Sequence, residues 1–284
     1  MHPVDLTPPA EVRAQSIAER RAEIAARLNQ ERSARGAPPL ALNETLNAAA
    51  QGRAESAFDG KEDVRRLVEA AGYEDRLAGE IVLAGEGAFG DRLDGLRESE
   101  PDVFADAMSA DYRDLGIGLA DGERGPTCVL IFGLSLSDEF AAKTAALSDR
   151  PKVRREILAR VNAARNARRL PPLRESEKLD QAAQSHADDM IRRSYYGHES
   201  PEGVDAFARV GRAGYGTNSV GENIAEGQST AADVMTGWMT SPLHRDHILS
   251  LTFTEIGIGL AFGKNALGYE IVWVQVFATP RAAP

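Results

Sequence analysis

The stretch RREILARVNAARNARRLPPLRESEKLDQAAQSHA at residues 154–187 has a second version in this chain, RAEIAARLNQERSARGAPPLALNETLNAAAQGRA at residues 21–54. The two align without a gap at an offset of 133 residues, and 18 of the 34 pairs are identical. Further along, at an offset of 141, LGIGLA at 115–120 faces IGIGLA at 256–261. A repeat of this length indicates two copies of a whole domain rather than a solenoid of short units.

The repeat sets the predicted domain boundaries. Residues 1–15 carry three prolines and are predicted to form an N-terminal tail. Residues 16–149 then form the first domain and residues 150–284 the second, separated near a polar, alanine-rich stretch. The segment Gly60–Arg66 is shorter than its counterpart in the second copy, so any cleft in the first domain is expected to be reduced.

Composition excludes several classes of protein. With 43% hydrophobic residues the chain can form two ordinary cores, and its single cysteine excludes an intramolecular disulfide. The net charge is -10, and the first 150 residues hold 28 acidic against 17 basic side chains. A chain without a basic excess lacks the electrostatic footprint of nucleic-acid binding. No apolar run approaches the roughly 18 residues of a transmembrane helix, and Met1 to Gln15 lacks the order of charges and apolar residues of a secretory signal.

Hydrophobic periodicity predicts two helices at the start of each copy and paired strands at its end. In the second copy a helix is expected at about 153–169, ending before two prolines, and another from Ser176. The second helix carries an apolar stripe at i, i+3 and i+4: Leu179, Ala182, Ala183, His186, Ala187, Met190 and Ile191. Strands are expected at 255–262 and 269–277, joined by a hairpin loop at 265–268. These elements predict an α+β sandwich with helical outer layers.

Four segments of the second copy concentrate groups that can do chemistry: YGHES at 196–200, GEN at 221–223, WMTS at 238–241 and PLHRDHIL at 242–249. In this order they resemble the CAP superfamily of cysteine-rich secretory, antigen 5 and pathogenesis-related proteins, and specifically its cysteine-poor bacterial branch. The resemblance implies two tandem α-β-α three-layer sandwiches and a periplasmic or extracellular location, with the signal peptide outside this sequence. It also implies a cleft of two histidines and acidic residues, which in several members holds a divalent metal such as zinc.

Residue by residue, the resemblance assigns His198 and His244 as the two cleft histidines and Glu222 as the acid of a Gly-Glu-Asn turn. Ser241 stands where the plant and animal pattern has a second glutamate, so the full set of two histidines and two glutamates is absent. His247 stands at a position where the family commonly has an asparagine. It is compatible with a role either as a third metal ligand or as a polar surface group.

Local physical chemistry agrees with a metal site at His198 and His244. Ser241 and Pro242 are predicted to start a short helix, which puts His244 near the positive end of the helix dipole and favours the neutral imidazole that zinc binds. Two imidazoles are fewer than the usual three ligands, so low affinity or variable occupancy is expected. Glu222 would orient bound water or act as a general base. Asn223 is expected to cap or pin a turn. Both Asn223 and Ser241 are expected to line the ligand-binding cleft together with His198, Glu222 and His244.

Structural roles explain other residues of the same segments. The set His198, Glu222 and His244 has an alternative interpretation as a polar network that holds the central loops together. His186 lies on the apolar stripe of its helix and is interpreted as a hydrogen-bonded histidine that is either buried or at the boundary of the core. Trp238 is predicted to belong to the core, and Cys128 is predicted to be a small buried hydrophobic group.

The first copy serves as an internal control, because Val103 stands in place of His244 and no histidine stands near the place of His198. It is interpreted as a degenerate domain that packs on the second copy or on a protein partner. Two function classes stay open for the second copy. The favoured one is a secreted binding module for a lipid, a peptide or a cell-envelope component; the alternative is a metal-dependent, peptidase-like hydrolase with Glu222 as general base.

Overall fold

The computed structural model describes residues 15–56, 63–122 and 125–281. Most of the predicted tail and the start of the shortened segment at Gly60–Arg66 lie outside these residues. The chain separates into two compact units, Met1–Glu139 and Phe140–Pro284, here called unit 1 and unit 2. Each unit contains one sheet and its own helices.

Unit 1 contains five helices and four strands among its described residues, with a sixth helix leading into unit 2. In chain order they are α1 (Ile17–Ser33), β1 (Ala41–Leu42), α2 (Glu44–Glu55), α3 (Val64–Ala70), β2 (Asp75–Ala84), α4 (Phe89–Ser99), α5 (Pro101–Ala107), β3 (Asp114–Gly122), β4 (Gly125–Ser135) and α6 (Leu136–Thr144).

Unit 2 repeats this order of elements. It contains α7 (Arg150–Asn166), β5 (Arg174–Glu175), α8 (Glu177–Arg193), α9 (Ala206–Arg212), β6 (Thr217–Glu226), α10 (Ala231–Thr240), α11 (Pro242–Leu249), β7 (Glu255–Asn265) and β8 (Gly268–Pro280).

The two sheets have the same topology. The strand order is β1-β3-β4-β2 in unit 1 and β5-β7-β8-β6 in unit 2. In each sheet the short first strand pairs parallel to its neighbour, and the other pairs are antiparallel. Because equivalent strands occupy equivalent positions, the duplication seen in the sequence extends to the whole of each sheet.

Each sheet is covered on both faces, as the apolar strands predict. In β8 the alternating side chains of Ile271, Trp273 and Phe277 join a core with α7, α10 and α11, whereas Val272 and Val274 join a core with α8 and α9. Unit 1 has the same two cores, one including α1 and the other α2. The predicted α+β fold of two α-β-α sandwiches is therefore confirmed.

The alternation of glycine and large apolar residues in β7 allows α8 to lie directly on the sheet. A Cβ on Gly257 would stand 2.0 Å from the backbone carbon of Leu179, and one on Gly259 would stand 2.3 Å from that of Ala183. These distances leave no room for a side chain. The repeated motif therefore has a packing reason in both units, where β3 meets α2 in the same way.

The structure corrects three local predictions. The first helix of unit 2 starts earlier than expected, because Asp149 caps it through the backbone N–H of Lys152. Ser176 does stand at the N-cap of α8, but its side chain makes no capping hydrogen bond. The Gly-Glu-Asn motif is not a turn but lies inside β6. Its glycine is needed there because a Cβ on Gly221 would stand 2.8 Å from the ring of Phe253.

The other predicted elements of unit 2 are confirmed. The strands at 255–262 and 269–277 form the antiparallel pair β7–β8, with Asn265 opposite Gly268 at the hairpin end. None of the helices in the described residues is both long and apolar enough to cross a membrane.

Candidate functional site

A cleft in unit 2 brings together the predicted histidines and Glu222. It has a volume of about 530 Å³ and lies between the segment before α9, strand β6 and helix α11. Its lining residues are His198, Glu199, Asp205, Ala206, Phe207, Val220, Gly221, Glu222, Leu243, His244, Asp246 and His247.

His198 is oriented by a hydrogen bond to the carboxylate of Glu222. The distance from His198 Nδ1 to Glu222 Oε1 is 2.8 Å. This bond raises the pKa of His198 against the opposing effect of burial. Because the carboxylate requires a proton on Nδ1, the neutral ring carries its lone pair on Nε2. Among the described residues, Nε2 of His198 has no hydrogen-bond partner.

Glu222 is held in place by Arg209, a residue that sequence reasoning missed. The guanidinium donates to Glu222 Oε2 at 2.6 Å and to the backbone oxygens of His198 at 2.9 Å and Val204 at 2.7 Å. The side chains are 8% and 4% exposed for Arg209 and Glu222. Arg209 thus fixes both the carboxylate and the backbone of the residue that the carboxylate orients.

In unit 1 the equivalent carboxylate, Glu80, is held by an arginine from a different helix. Glu80 of β2 receives hydrogen bonds from Arg53 Nε at 3.0 Å and Nη2 at 3.2 Å, and Arg53 lies on α2. In unit 2 the position of Arg53 is taken by His186, and Arg209 occupies the position of Leu67 on α3. The neutralising arginine has therefore changed helices between the two copies. Comparing Leu67 with Arg209 is the sequence signal that points to this residue.

His244 lies in the first turn of α11, as predicted, with Ser241 at the N-cap and Pro242 at the first helical position. The side chain of Ser241 makes no capping hydrogen bond, and Ser241 is not among the described residues that line the cleft. Burial lowers the pKa of His244, and the nearby charges of His198 and His247 lower it further. Both effects favour the neutral imidazole. Within the described part of the chain, the ring of His244 has no hydrogen-bond partner.

Asn223 lies behind the cleft and fixes α11 to the sheet. It is fully buried, and its amide donates to the backbone oxygen of His244 at 3.0 Å and to Gln275 Oε1 at 3.1 Å. Its Oδ1 pairs with His247 Nδ1 at 2.8 Å. Asn223 therefore pins a helix from within a strand, and not a turn as the sequence suggested. Unit 1 has the apolar cross-strand pair Ile81 and Leu130 at these positions.

His247 is engaged in packing. Besides its bond to Asn223, the ring lies against Phe253 and Phe277, with centroids 6.3 and 6.2 Å away. Burial lowers the pKa of His247. These contacts give it a structural role in holding α11.

The structural predictions for other residues are confirmed. His186 is buried, and its Nε2 lies 2.9 Å from the backbone oxygen of Gly197. Burial lowers its pKa. Trp238 and Cys128 are both core residues.

The donor set for a metal is small. Within the residues that the structure describes, no group of three or more histidine, cysteine, aspartate or glutamate side chains is arranged to hold a metal ion. The cleft offers two imidazoles, His198 and His244, with one carboxylate behind the first. In unit 1 the place of His244 is taken by Val103 and that of His247 by Asp106, which accepts a hydrogen bond from Tyr112.

Comparison with known proteins agrees with this description. The model of the CAP family, described as the cysteine-rich secretory protein family, matches residues 25–132 and 158–277. The chain is 33% identical over 134 residues to the uncharacterized protein YkwD of Bacillus subtilis, covering 47% of this chain and 50% of that protein. It is 27% identical over 131 residues to the uncharacterized membrane protein YlbC of the same organism, covering 46% of this chain and 36% of that protein. The chain thus spans half or less of the length of these curated relatives.

Among solved structures, similarity is found to an extracellular protein containing a SCP domain from Bacillus anthracis, at 16% identity and a TM-score of 0.41, covering 79% of this chain and 75% of that one. A cysteine-rich secretory protein from Staphylococcus aureus matches at 14% identity and a TM-score of 0.38, covering 59% and 56%. The family model matches most of both units. The chain therefore belongs to the CAP family and contains two CAP domains in tandem.

Proposed function

We propose that this chain is an exported binding protein whose second CAP domain takes up its ligand in the cleft, beside a divalent ion held by His198 and His244. The observation that carries the proposal is the hydrogen bond from His198 Nδ1 to Glu222, which leaves Nε2 as the free nitrogen. His244 lines the same cleft.

The residues present fit a weakly held zinc-like ion. A histidine that donates Nδ1–H to a carboxylate and ligates through Nε2 is a common arrangement at metal sites, because the carboxylate fixes the tautomer and makes the ring more basic. Neutral His244 supplies a second imidazole nitrogen that carries a lone pair for the ion. Two protein ligands suit an ion that keeps open positions and dissociates readily.

The roles of the side chains follow from their contacts. His198 and His244 would hold the ion, and Glu222 and Arg209 would orient His198. Asn223 would keep His244 in place through the backbone of α11. A bound zinc ion would supply a Lewis-acidic centre for an oxygen or nitrogen atom of the ligand.

The hydrolase alternative stays a prediction and gains no support from the position of Glu222. Both of its carboxylate oxygens already accept hydrogen bonds, from His198 and Arg209. A general base needs a carboxylate that can reach a reacting water. Positioning of His198 is the role that the contacts of Glu222 favour.

Export is supported by the secretory character of the family and is compatible with the single thiol. Cys128 is fully buried, and burial raises its pKa to about 12. The reactive thiolate is therefore scarce, which protects the thiol in an oxidising compartment.

Calorimetric titration of the full chain with zinc tests this proposal. One zinc ion is expected to bind per chain, and His198→Ala and His244→Val should each abolish binding. The second substitution introduces the residue that unit 1 has at this position. Arg245→Ala, at the next position on α11, serves as the matched control and should bind zinc like the parent protein. Unchanged binding in both histidine variants would reject the assignment of the ligands.

A further inference from the structure

The rim of the cleft exposes two large apolar side chains that the fold does not require. Leu243 on α11 is 77% exposed and Phe207 on α9 is 49% exposed, and both line the cleft. At the equivalent positions unit 1 has Asp102 and Arg65. The same scaffold therefore tolerates charges at both sites. Apolar side chains that converge on one cleft are typical of a binding surface.

The cleft also carries negative charge. Glu199, Asp205 and Asp246 are exposed and line it, and no lysine or arginine among the described residues lies within ion-pair distance of them. The lining contains no lysine or arginine either. Carboxylates that line the same cleft attract a cationic ligand and repel an anionic one.

One residue of the cleft also lines a second cavity, beside the end of α9 and the start of β6. The second cavity, of about 350 Å³, shares Phe207 with the cleft, and its other lining residues are Gly211, Gly214, Tyr215, Gly216, Thr217 and Arg281. Phe207 thus lies between two adjoining hollows. A linear ligand with several side chains fits such a surface better than a single compact ion does.

We propose that the ligand of this cleft is a polypeptide segment in which a lysine or arginine stands next to aliphatic or aromatic residues. The cation faces Glu199, Asp205 and Asp246, and the apolar side chains pack on Leu243 and Phe207. This inference rests on the proposed role of the cleft as a ligand site, but it does not depend on a metal.

Three capped peptides test the proposal on the full chain. Fluorescently labelled acetyl-Lys-Leu-Phe-amide is the probe; acetyl-Glu-Leu-Phe-amide reverses its charge, and acetyl-Lys-Ser-Ser-amide removes its apolar groups. Fluorescence polarisation should show the first peptide binding at least tenfold more tightly than either of the others. Raising the salt concentration should weaken its binding, since charges on an open rim are screened.

Variants that introduce the residues of unit 1 locate the binding site. Leu243→Asp and Phe207→Arg should each weaken the Lys-Leu-Phe peptide tenfold or more. Leu251→Asp is the matched control, because Leu251 is 71% exposed but is not among the described residues that line the cleft. Its affinity for the peptide should equal that of the parent protein.

The outcomes separate this inference from the metal assignment. Loss of peptide binding in Leu243→Asp, with zinc binding and unfolding unchanged, supports it. Equal binding of the Glu-Leu-Phe peptide, or full binding by Leu243→Asp and Phe207→Arg, overturns it even if zinc binds as proposed. Binding of dodecylamine in place of the peptides also overturns it, since the ligand would then be a cationic lipid. If zinc fails to bind but the peptide pattern holds, the metal assignment alone is wrong.

Discussion

Moving the arginine that pairs with Glu222 from α9 to α8 tests how this buried carboxylate of unit 2 is stabilised. Arg209→Leu gives α9 the leucine that unit 1 has at the equivalent position, Leu67. It leaves the carboxylate of Glu222, which is 4% exposed, without its guanidinium partner. Removing one partner of a buried ion pair costs about 3–5 kcal/mol. The carbonyls of His198 and Val204 also lose a donor each. We expect Arg209→Leu to lower the free energy of unfolding of unit 2 by about 4 kcal/mol at neutral pH.

The double variant His186→Arg/Arg209→Leu should recover most of this loss. In unit 1 the arginine at the position of His186 reaches both oxygens of Glu80, and leucine stands at the position of Arg209. The double variant should therefore unfold within about 1–2 kcal/mol of the parent protein. It should still bind zinc less tightly than the parent protein, because the backbone carbonyl of His198 no longer accepts a hydrogen bond from Arg209.

Tryptophan fluorescence during urea unfolding is a suitable assay, because both tryptophans of the chain, Trp238 and Trp273, lie in unit 2. Arg212→Leu, which changes an exposed arginine on the same helix, is the control and should alter stability by less than about 0.5 kcal/mol. The reasoning is refuted if Arg209→Leu costs less than about 1 kcal/mol or if the double variant is no more stable than the single one.

Three further predictions follow from the same contacts. In zinc-free protein, NMR titration should place the pKa of His198 above the usual histidine value and that of His244 below it. His244 should therefore lose its proton first as the pH is raised, and the reverse order would contradict the geometry. Asn223→Ile should lower the stability of unit 2 by about 2 kcal/mol, because its buried partners lose their hydrogen bonds. Adding Gln275→Leu should restore part of the lost stability. Fluorescence-monitored unfolding would show no such recovery if the two residues were independent. Gly257→Ala should destabilise unit 2 by more than about 3 kcal/mol, since the new Cβ would overlap the backbone of α8, and an unfolding curve like that of the parent protein would contradict this packing.

Much of the fold could be predicted from the sequence because its signals are periodic and repeated. The stripe on α8 and the alternation in β7 each reflect burial at regular spacing, and both are present in unit 2 as expected. The resemblance to the CAP superfamily places the Gly-Glu-Asn motif in a turn. Gly221 instead stands in a strand beneath an aromatic ring, a tertiary contact that no local pattern encodes.

The candidate site was predictable only in part. His198, Glu222 and His244 line one cleft, as the motifs suggested, but their hydrogen bonds depend on which elements meet in three dimensions. Arg209 looks like an ordinary helical arginine in the sequence, since nothing local indicates that its side chain is buried. Only the contrast with Leu67 in the first copy distinguishes it, because the equivalent carboxylate of each unit is paired with an arginine from one helix or the other.

Anomalous diffraction at the zinc absorption edge, from crystals of the full chain grown with zinc, tests the central claim most directly. We predict a single peak in unit 2, within about 2.0–2.2 Å of His198 Nε2 and of one ring nitrogen of His244. No peak is expected near Val103 in unit 1. A peak bound elsewhere, or the two imidazoles turned away from each other with no density between them, would contradict the account.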